Sequence, residues 1–257
     1  MNYSKVAEYI SQWLKNYSEK SKMNGFAVGI SGGIDSAVTS SLCAMTGKKV
    51  VLVNMPIKQS ESEYQRAVEH IENLKSRYTN VSSIEVNLTS TFNELQSVLP
   101  AEAVSNFLSM ANTRSRLRMT TLYAIAQTNH CLVAGTGNKI EDFGIGFYTK
   151  YGDGGVDISP IADLMKSEVF ALGQELKVLE SIQNAAPTDG LWGDQRTDED
   201  QIGASYPELE WAMNFNGEES KLNPRQQEVL EIYRKLNRVN QHKMLPIPVC
   251  IIPTHLR

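Results

Sequence analysis

The run Gly29-Ile30-Ser31-Gly32-Gly33-Ile34-Asp35-Ser36 follows a short apolar stretch and precedes a helical pattern through Val38, Leu42 and Met45. A loop between a buried strand and a helix turns its backbone N–H groups toward the helix N-terminus, where they bind anions. Paired glycines permit close backbone approach, and the hydroxyls of Ser31 and Ser36 add donors. Asp35 would repel a phosphate unless a cation stood between them. Its carboxylate therefore reads as a Mg²⁺ ligand, a hard oxygen for a hard ion. The plainer alternative is a tight turn in which Asp35 or Ser36 caps the helix. The fixed letters of SGG-x-DS recur too rarely by chance to favour it.

Three other loops share some of these letters. Gly29 to Gly33 matches the G-x-S-x-G nucleophile elbow of serine hydrolases, and Asp157 with His242 could complete a triad on Ser31. Only 28 residues precede Gly29, too few for the strands that come before an elbow, and the GG-x-DS continuation is left unexplained. A Walker loop needs Gly-Lys-Ser/Thr, which Gly47-Lys48-Lys49 does not supply. A dinucleotide fingerprint starting at Gly135-Thr136-Gly137 lacks its third glycine, because Ile140 stands there.

These loops need a frame. Gly25–Ile30, Val50–Met55, Ile84–Leu88 and Cys131–Ala134 read as short apolar strands. Between them, periodic segments predict helices over 61–78, burying Tyr64, Val68, Ile71, the Lys75 stem and Tyr78, and over 102–129, in one or two pieces. Another helix follows through Val169, Leu172 and Leu176. Strands alternating with helices predict an α/β fold with a parallel sheet and right-handed crossovers. At the N-terminus Val6, Tyr9, Ile10, Trp13, Leu14 and Tyr17 share one helical face, expected to pack on the core. Two long stretches, 135–160 with seven glycines and the acidic 187–206, break the pattern and mark functional loops. No linker or repeat divides the chain, so residues 1–257 read as a single domain.

Composition narrows the classes. With 25 basic and 29 acidic residues the net charge is −4, and no run of like charge appears, which argues against a nucleic-acid or membrane binder. Cys43, Cys131 and Cys250 are odd in number and far apart, so neither disulfides nor a zinc ribbon is expected. With no signal-peptide pattern and no apolar run of spanning length, the protein is expected to be cytoplasmic.

SGG-x-DS resembles the pyrophosphate-binding loop of the ATP pyrophosphatase superfamily, which includes NAD synthetases, other amidotransferases and tRNA-modifying enzymes. The second half selects among them. Gly135-Thr136-Gly137-Asn138-Lys139-Ile140-Glu141, Lys150 through Asp157, Leu164 through Val169, Pro187 through Trp192, Thr197-Asp198-Glu199 and His242-Lys243 together resemble the bacterial NAD synthetases over residues 25–245. tRNA modifiers carry an RNA-binding domain and often paired cysteines, and no glutaminase domain fits in 257 residues. The resemblance implies an open, Rossmann-like parallel sheet of the adenine nucleotide alpha hydrolase type. It also implies amidation of deamido-NAD by ammonia through an acyl-adenylate, with ATP as co-substrate, Mg²⁺ as cofactor and a homodimeric assembly.

It implies residue roles as well. Gly29, Ile30, Ser31, Gly32, Gly33, Ile34, Asp35 and Ser36 would hold ATP together with Thr136, Lys166 and Thr188. Asp35 and Glu141 would bind the metal and, with Lys166, form the catalytic set. Arg116, Lys150, Asp157, His242 and Lys243 would hold deamido-NAD. The sequence departs from the family twice: Glu141 to Lys150 is one residue longer, and Asn54 stands where some members carry a basic residue.

Overall fold

Among the described residues, four parallel strands form a central sheet in the order β3-β2-β1-β4: β1 Gly25–Gly29, β2 Lys49–Asn54, β3 Val81–Glu85 and β4 Cys131–Val133. The computed structural model describes residues 1–188 and 197–257. The helices are α1 Tyr3–Lys20, α2 Ile34–Met45, α3 Glu61–Arg77, α4 Thr89–Val98, α5 Ala101–Ser105, α6 Phe107–Thr128, α7 Lys166–Glu175 and α8 Glu180–Gln183, then α9 Asp198–Ile202, α10 Tyr206–Asn214 and α11 Pro224–Met244. From β1 the chain builds outward through β2 to β3, then returns to place β4 on the other side of β1. The carboxyl ends of β1 and β4 therefore flank the switch point of the sheet, where the loops that follow them diverge and leave a crevice.

The sheet is covered on both faces, as a parallel sheet must be. One face packs Phe26, Val28, Val50 and Leu52 against Ile10, Leu14, Val38, Leu42, Leu74 and Leu172. The other packs Ala27, Val51, Val53 and Val133 against Phe92, Met110 and Leu122. A third apolar cluster joins Ile140 and Ile145 to Leu209, Val229 and Leu230 of α10 and α11. Through it the segment after β4 is anchored to the C-terminal helices.

Several expected details move. The third strand spans Val81–Glu85, because the pairing of Val50 with Val81 sets its register, and this edge strand tolerates Ser82 and Ser83. Helix α4 was not expected, and Asn106 divides the 102–129 pattern by accepting the Ser109 N–H at 2.9 Å. On α3 the buried residues are Ala67, His70, Ile71 and Leu74, while Lys75 is exposed. On α1 the core-facing residues are Ala7, Ile10, Ser11, Leu14 and Ser18, and Tyr9 is 74% exposed with Trp13 and Tyr17 also outward. Small residues let this helix approach closely, so the aromatic side of the apolar stripe turns to solvent. Among the described residues no helix is long and apolar enough to cross a membrane.

Candidate active site

The phosphate loop leaves β1 with Ile30 N–H donating to the Val53 carbonyl at 2.9 Å. It then closes on itself: Ser31 Oγ lies 3.2 Å from Ser36 Oγ, Gly33 N–H donates to Ser31 Oγ at 3.2 Å, and Ser36 Oγ–H donates to the Gly33 carbonyl at 3.0 Å. Gly33 is the N-cap of α2 and supplies no side-chain acceptor, so Asp35 and Ser36 do not cap the helix and its first-turn N–H groups are left for an anion. Gly32 must be glycine: its φ is +83°, and a Cβ there would meet the Glu63 carbonyl at 2.6 Å.

The second wall comes from the segment after β4. Asn138, fully buried, accepts the N–H groups of Ile140 and Glu141 at 3.1 and 3.2 Å and donates to Asp35 Oδ1 at 3.1 Å. It ties the two loops together. Residues Ile140–Ile145 then form a single π-helical turn, closed by Gly146 in the left-handed region. A π turn holds one residue more than an α turn. From this turn Glu141 faces the phosphate loop and accepts from Lys166.

Lys166 is the meeting point. It opens α7, a poor place for a cation on helix-dipole grounds. Its ammonium, 3% exposed, donates to Asp35 Oδ2 at 2.6 Å and to Glu141 Oε1 at 3.0 Å and lies 4.7 Å from the Tyr206 ring centre. Tyr206 O–H also donates to Glu141 Oε1 at 2.6 Å. Burial alone would lower the Lys166 pKa, but Asp35 and Glu141 outweigh it and hold the ammonium above its ordinary value. Burial pushes Asp35 upward, with Lys166 opposing and Glu141 adding to the shift. Burial, then Glu141 and Asp198, raise the Tyr206 phenol.

Asp35, Glu141 and Lys166 line a cavity of about 550 Å³ that also receives Thr136, Thr188 and Lys243. That size falls within the range of roughly 300–1,000 Å³ common for small-molecule sites. Asp35 and Glu141 are oxygen donors converging on one point. No set of three or more His, Cys, Asp or Glu among the described residues forms a protein cage. Mg²⁺ is commonly held by one or two carboxylates with phosphates and water completing its shell, so this donor pair fits it.

The other expected residues divide. Lys243 donates to the Gly146 and Tyr148 carbonyls, both at 2.8 Å, at the cavity wall, and burial lowers its pKa. Arg116 donates to the Lys150 carbonyl at 3.3 Å, and Lys150 Nζ donates to the His242 carbonyl, forming a cluster outside the cavity lining. Asp157 stands at the sheet edge, accepting Val133 N–H at 2.8 Å and Tyr123 O–H at 3.0 Å. Ser31 and His242 have separate partners, so no hydrolase triad forms with Asp157. Asn54 is buried and donates to Glu85 at 3.1 Å. Of the Pro187–Trp192 motif, Asp189 to Trp192 lie outside the described residues.

Sequence reasoning missed Asn138, Tyr206, Asp142 and Asp153. Asp153 accepts Ser115 O–H at 2.6 Å and Thr149 N–H at 3.0 Å. Asp142 overlies Gly137, where a side chain would strike its carboxylate, and burial with Glu141, Asp153 and Asp35 pushes it up to about 7. A signal was present, because all but Tyr206 belong to the motif-bearing stretch 135–157.

The family model described as NAD synthase matches residues 6–246. The NH(3)-dependent NAD(+) synthetase of Mesoplasma florum is 38% identical over 82% of this chain and 84% of its own length. Its counterpart from Sulfurisphaera tokodaii is 34% identical over 96% and 88%. Among solved structures, NMN synthetase from Francisella tularensis superposes with a TM-score of 0.85 at 30% identity, covering 99% of both chains. With the phosphate loop, the Asp35–Lys166–Glu141 bridge and the parallel sheet already in place, these likenesses assign the chain to the NAD synthase family.

Proposed function

We propose that this chain is an ammonia-dependent NAD synthetase (EC 6.3.1.5), an ATP-dependent ligase that amidates deamido-NAD within one domain spanning 1–257. The observation that carries the reading is the buried Lys166 ammonium bridging Asp35 and Glu141 beside the uncapped N-terminus of α2. A carboxylate resists amidation because oxide is a poor leaving group. An oxygen of the nicotinate carboxylate attacks the α-phosphorus of ATP, the bond to the bridging oxygen breaks, and pyrophosphate departs with that electron pair. Ammonia then attacks the carbonyl carbon, AMP leaves, and one proton is released as the amide forms.

The residues contribute position and charge. The loop Gly29–Ser36 and the first-turn amides of α2 receive the phosphates, with Thr136 and Thr188 at the same cavity. Lys166 stays protonated and balances charge at the reacting phosphoryl group. Mg²⁺, held by Asp35 and Glu141, would neutralise the ATP phosphates. Lys243 holds the nicotinate-bearing part of the dinucleotide, and Arg116, Lys150, His242 and Asp157 hold its outer portion. No nucleophilic side chain is needed. The thiol of Cys43 is fully buried and pushed up by burial.

The ATP requirement supports a cytoplasmic setting. The exposed C-terminal residues Ile247, Val249 and Ile251 support a homodimer that covers them. Incubation with ATP, Mg²⁺, ammonium and deamido-NAD should yield NAD, AMP and pyrophosphate in equal amounts. ADP, or no NAD, would reject the assignment. Because NMN synthetase from Francisella tularensis superposes over nearly the whole chain, the mononucleotide acid is the rival substrate. A higher kcat/KM for nicotinic acid mononucleotide than for deamido-NAD would select that reading instead.

A further inference from the structure

The backbone of α3 buttresses the phosphate loop. A Cβ on Gly32 would meet Glu63 O at 2.6 Å, Ala67 N at 3.1 Å and Arg66 Cβ at 3.3 Å, so the loop lies directly against the α3 backbone. From this contact Arg66 extends along the cavity, and its Nε–H donates to the Gly32 carbonyl at 3.2 Å. In a trans peptide the carbonyl and the next N–H point in opposite directions. Holding the Gly32 carbonyl toward α3 therefore turns the Gly33 N–H into the loop, where it meets Ser31 Oγ.

Each of the other cations of the cavity already has two protein acceptors. Lys166 is shared by two carboxylates. Lys243 is fixed on two carbonyls. Arg118 donates to the Met55 carbonyl at 3.0 Å and to Gln59 at 3.5 Å. Arg66 makes no salt bridge among the described residues, and its one hydrogen bond goes to a neutral carbonyl. The two acids three residues either side of Arg66 on α3 have other partners: Glu63 Oε2 accepts Ser60 N–H and O–H at the N-cap, and Glu69 Oε2 accepts Ser181 O–H at 3.2 Å. A guanidinium has five N–H donors, so four of them remain for a ligand. Its planar fork suits phosphate oxygens better than any other side chain.

We propose that Arg66 binds the pyrophosphate portion of ATP, using its terminal guanidinium N–H groups while its Nε–H keeps the loop turned toward the same anion. The assignment rests on the reading of Gly29–Ser36 as the ATP loop and names a residue outside that motif. It distinguishes the phosphate end of ATP from the AMP end.

Binding of ATP, pyrophosphate and AMP, each with Mg²⁺, tests it by calorimetry on the wild type, Arg66→Ala and Arg66→Lys. Loss of a charge-assisted phosphate contact should weaken ATP and pyrophosphate about tenfold or more in Arg66→Ala, with AMP within about twofold. Arg66→Lys should recover part of that loss, and KM for ATP should rise while KM for deamido-NAD holds. Wild-type affinity for ATP and pyrophosphate in Arg66→Ala overturns the role of Arg66 alone. An equal loss for AMP also overturns it, since a collapsed loop would do the same. A wild-type protein that binds neither ATP nor pyrophosphate overturns the loop reading first.

Discussion

The inner and outer ends of the site are both charged, yet they are built on different terms. At the inner end Asp35, Glu141 and Lys166 come from three separate segments and are locked by Asn138 and Tyr206, with the carboxylates only 17% and 15% exposed. At the outer end Arg116, Lys150 and His242 are held through backbone carbonyls. Arg116 is exposed and Lys150 half-buried, so water weakens both charges. Charge that is buried and fixed can act on a transition state without reorganising. Charge that is solvated can guide and hold a substrate but contributes less to the reacting centre. The inner end should therefore govern turnover, and the outer end should govern substrate affinity.

The largest effect should follow from disrupting the inner bridge. Asp35→Ala and Glu141→Ala should each lower kcat by at least about 10²-fold with the fold retained, measured by steady-state kinetics at saturating Mg²⁺. Lys166→Ala should do the same and also destabilise the protein, because it leaves two carboxylates buried together without their cation. Near-normal turnover in any of the three would erase the distinction between the two ends.

Behind the loop, His70 offers a pH-dependent test of how firmly the inner end is braced. Its Nε2 lies 2.8 Å from Ser40 Oγ, which donates to the Ser36 carbonyl at 2.7 Å. Burial, then Arg77, lowers its pKa from 6.5 to about 4. A depressed histidine binds its proton more readily when unfolded, so stability holds above pH 6.5 and is lost as pH falls toward 4. The loss should reach about 3 kcal/mol and should flatten in His70→Gln, read from urea denaturation across that window. An unchanged pH profile in the variant would show that His70 is not held neutral.

At the outer end, Arg116→Ala and Lys150→Ala should raise KM for deamido-NAD about tenfold while kcat changes little, because a solvated phosphate contact is lost from ground and transition states alike. A kcat defect equal to that of Asp35→Ala would make the outer cluster part of the reacting centre. The smallest effect belongs to the thiols. Replacing Cys43, Cys131 and Cys250 together with Ser or Ala should spare kcat, with packing losses of about 1 kcal/mol for each buried thiol. Abolished turnover in the folded variant would reveal a covalent step.

The same contrast separates what could be read in the sequence from what could not. The inner site was legible because short motifs carry their own backbone geometry: SGG-x-DS dictates a strand-to-helix turn, and Glu141 and Lys166 emerge from similarly constrained segments. Asn138 was printed inside a motif, but its task depends on Asp35, 103 residues away. Tyr206 closes the acidic stretch 187–206 and opens α10, and only the fold brings its hydroxyl to Glu141. Asp157 carries a structural contact that its motif did not announce, since its carboxylate also accepts the Val133 N–H at the sheet edge. The α1 face was misread because hydrophobicity ranks Tyr9 and Trp13 above Ala7 and Ser11, while close helix packing rewards the small residues.

The central claim is that the inner end sets pyrophosphate free and leaves the substrate carboxylate joined to AMP. Deamido-NAD labelled with ¹⁸O in its nicotinate carboxylate tests this directly. Turnover with ATP and ammonium should deliver one labelled oxygen to AMP, because that oxygen bridges carbon and phosphorus before ammonia displaces it. Mass spectrometry of the AMP product reads the transfer. Unlabelled AMP, or ADP in its place, would contradict the acyl-adenylate and the role assigned to Asp35, Glu141 and Lys166.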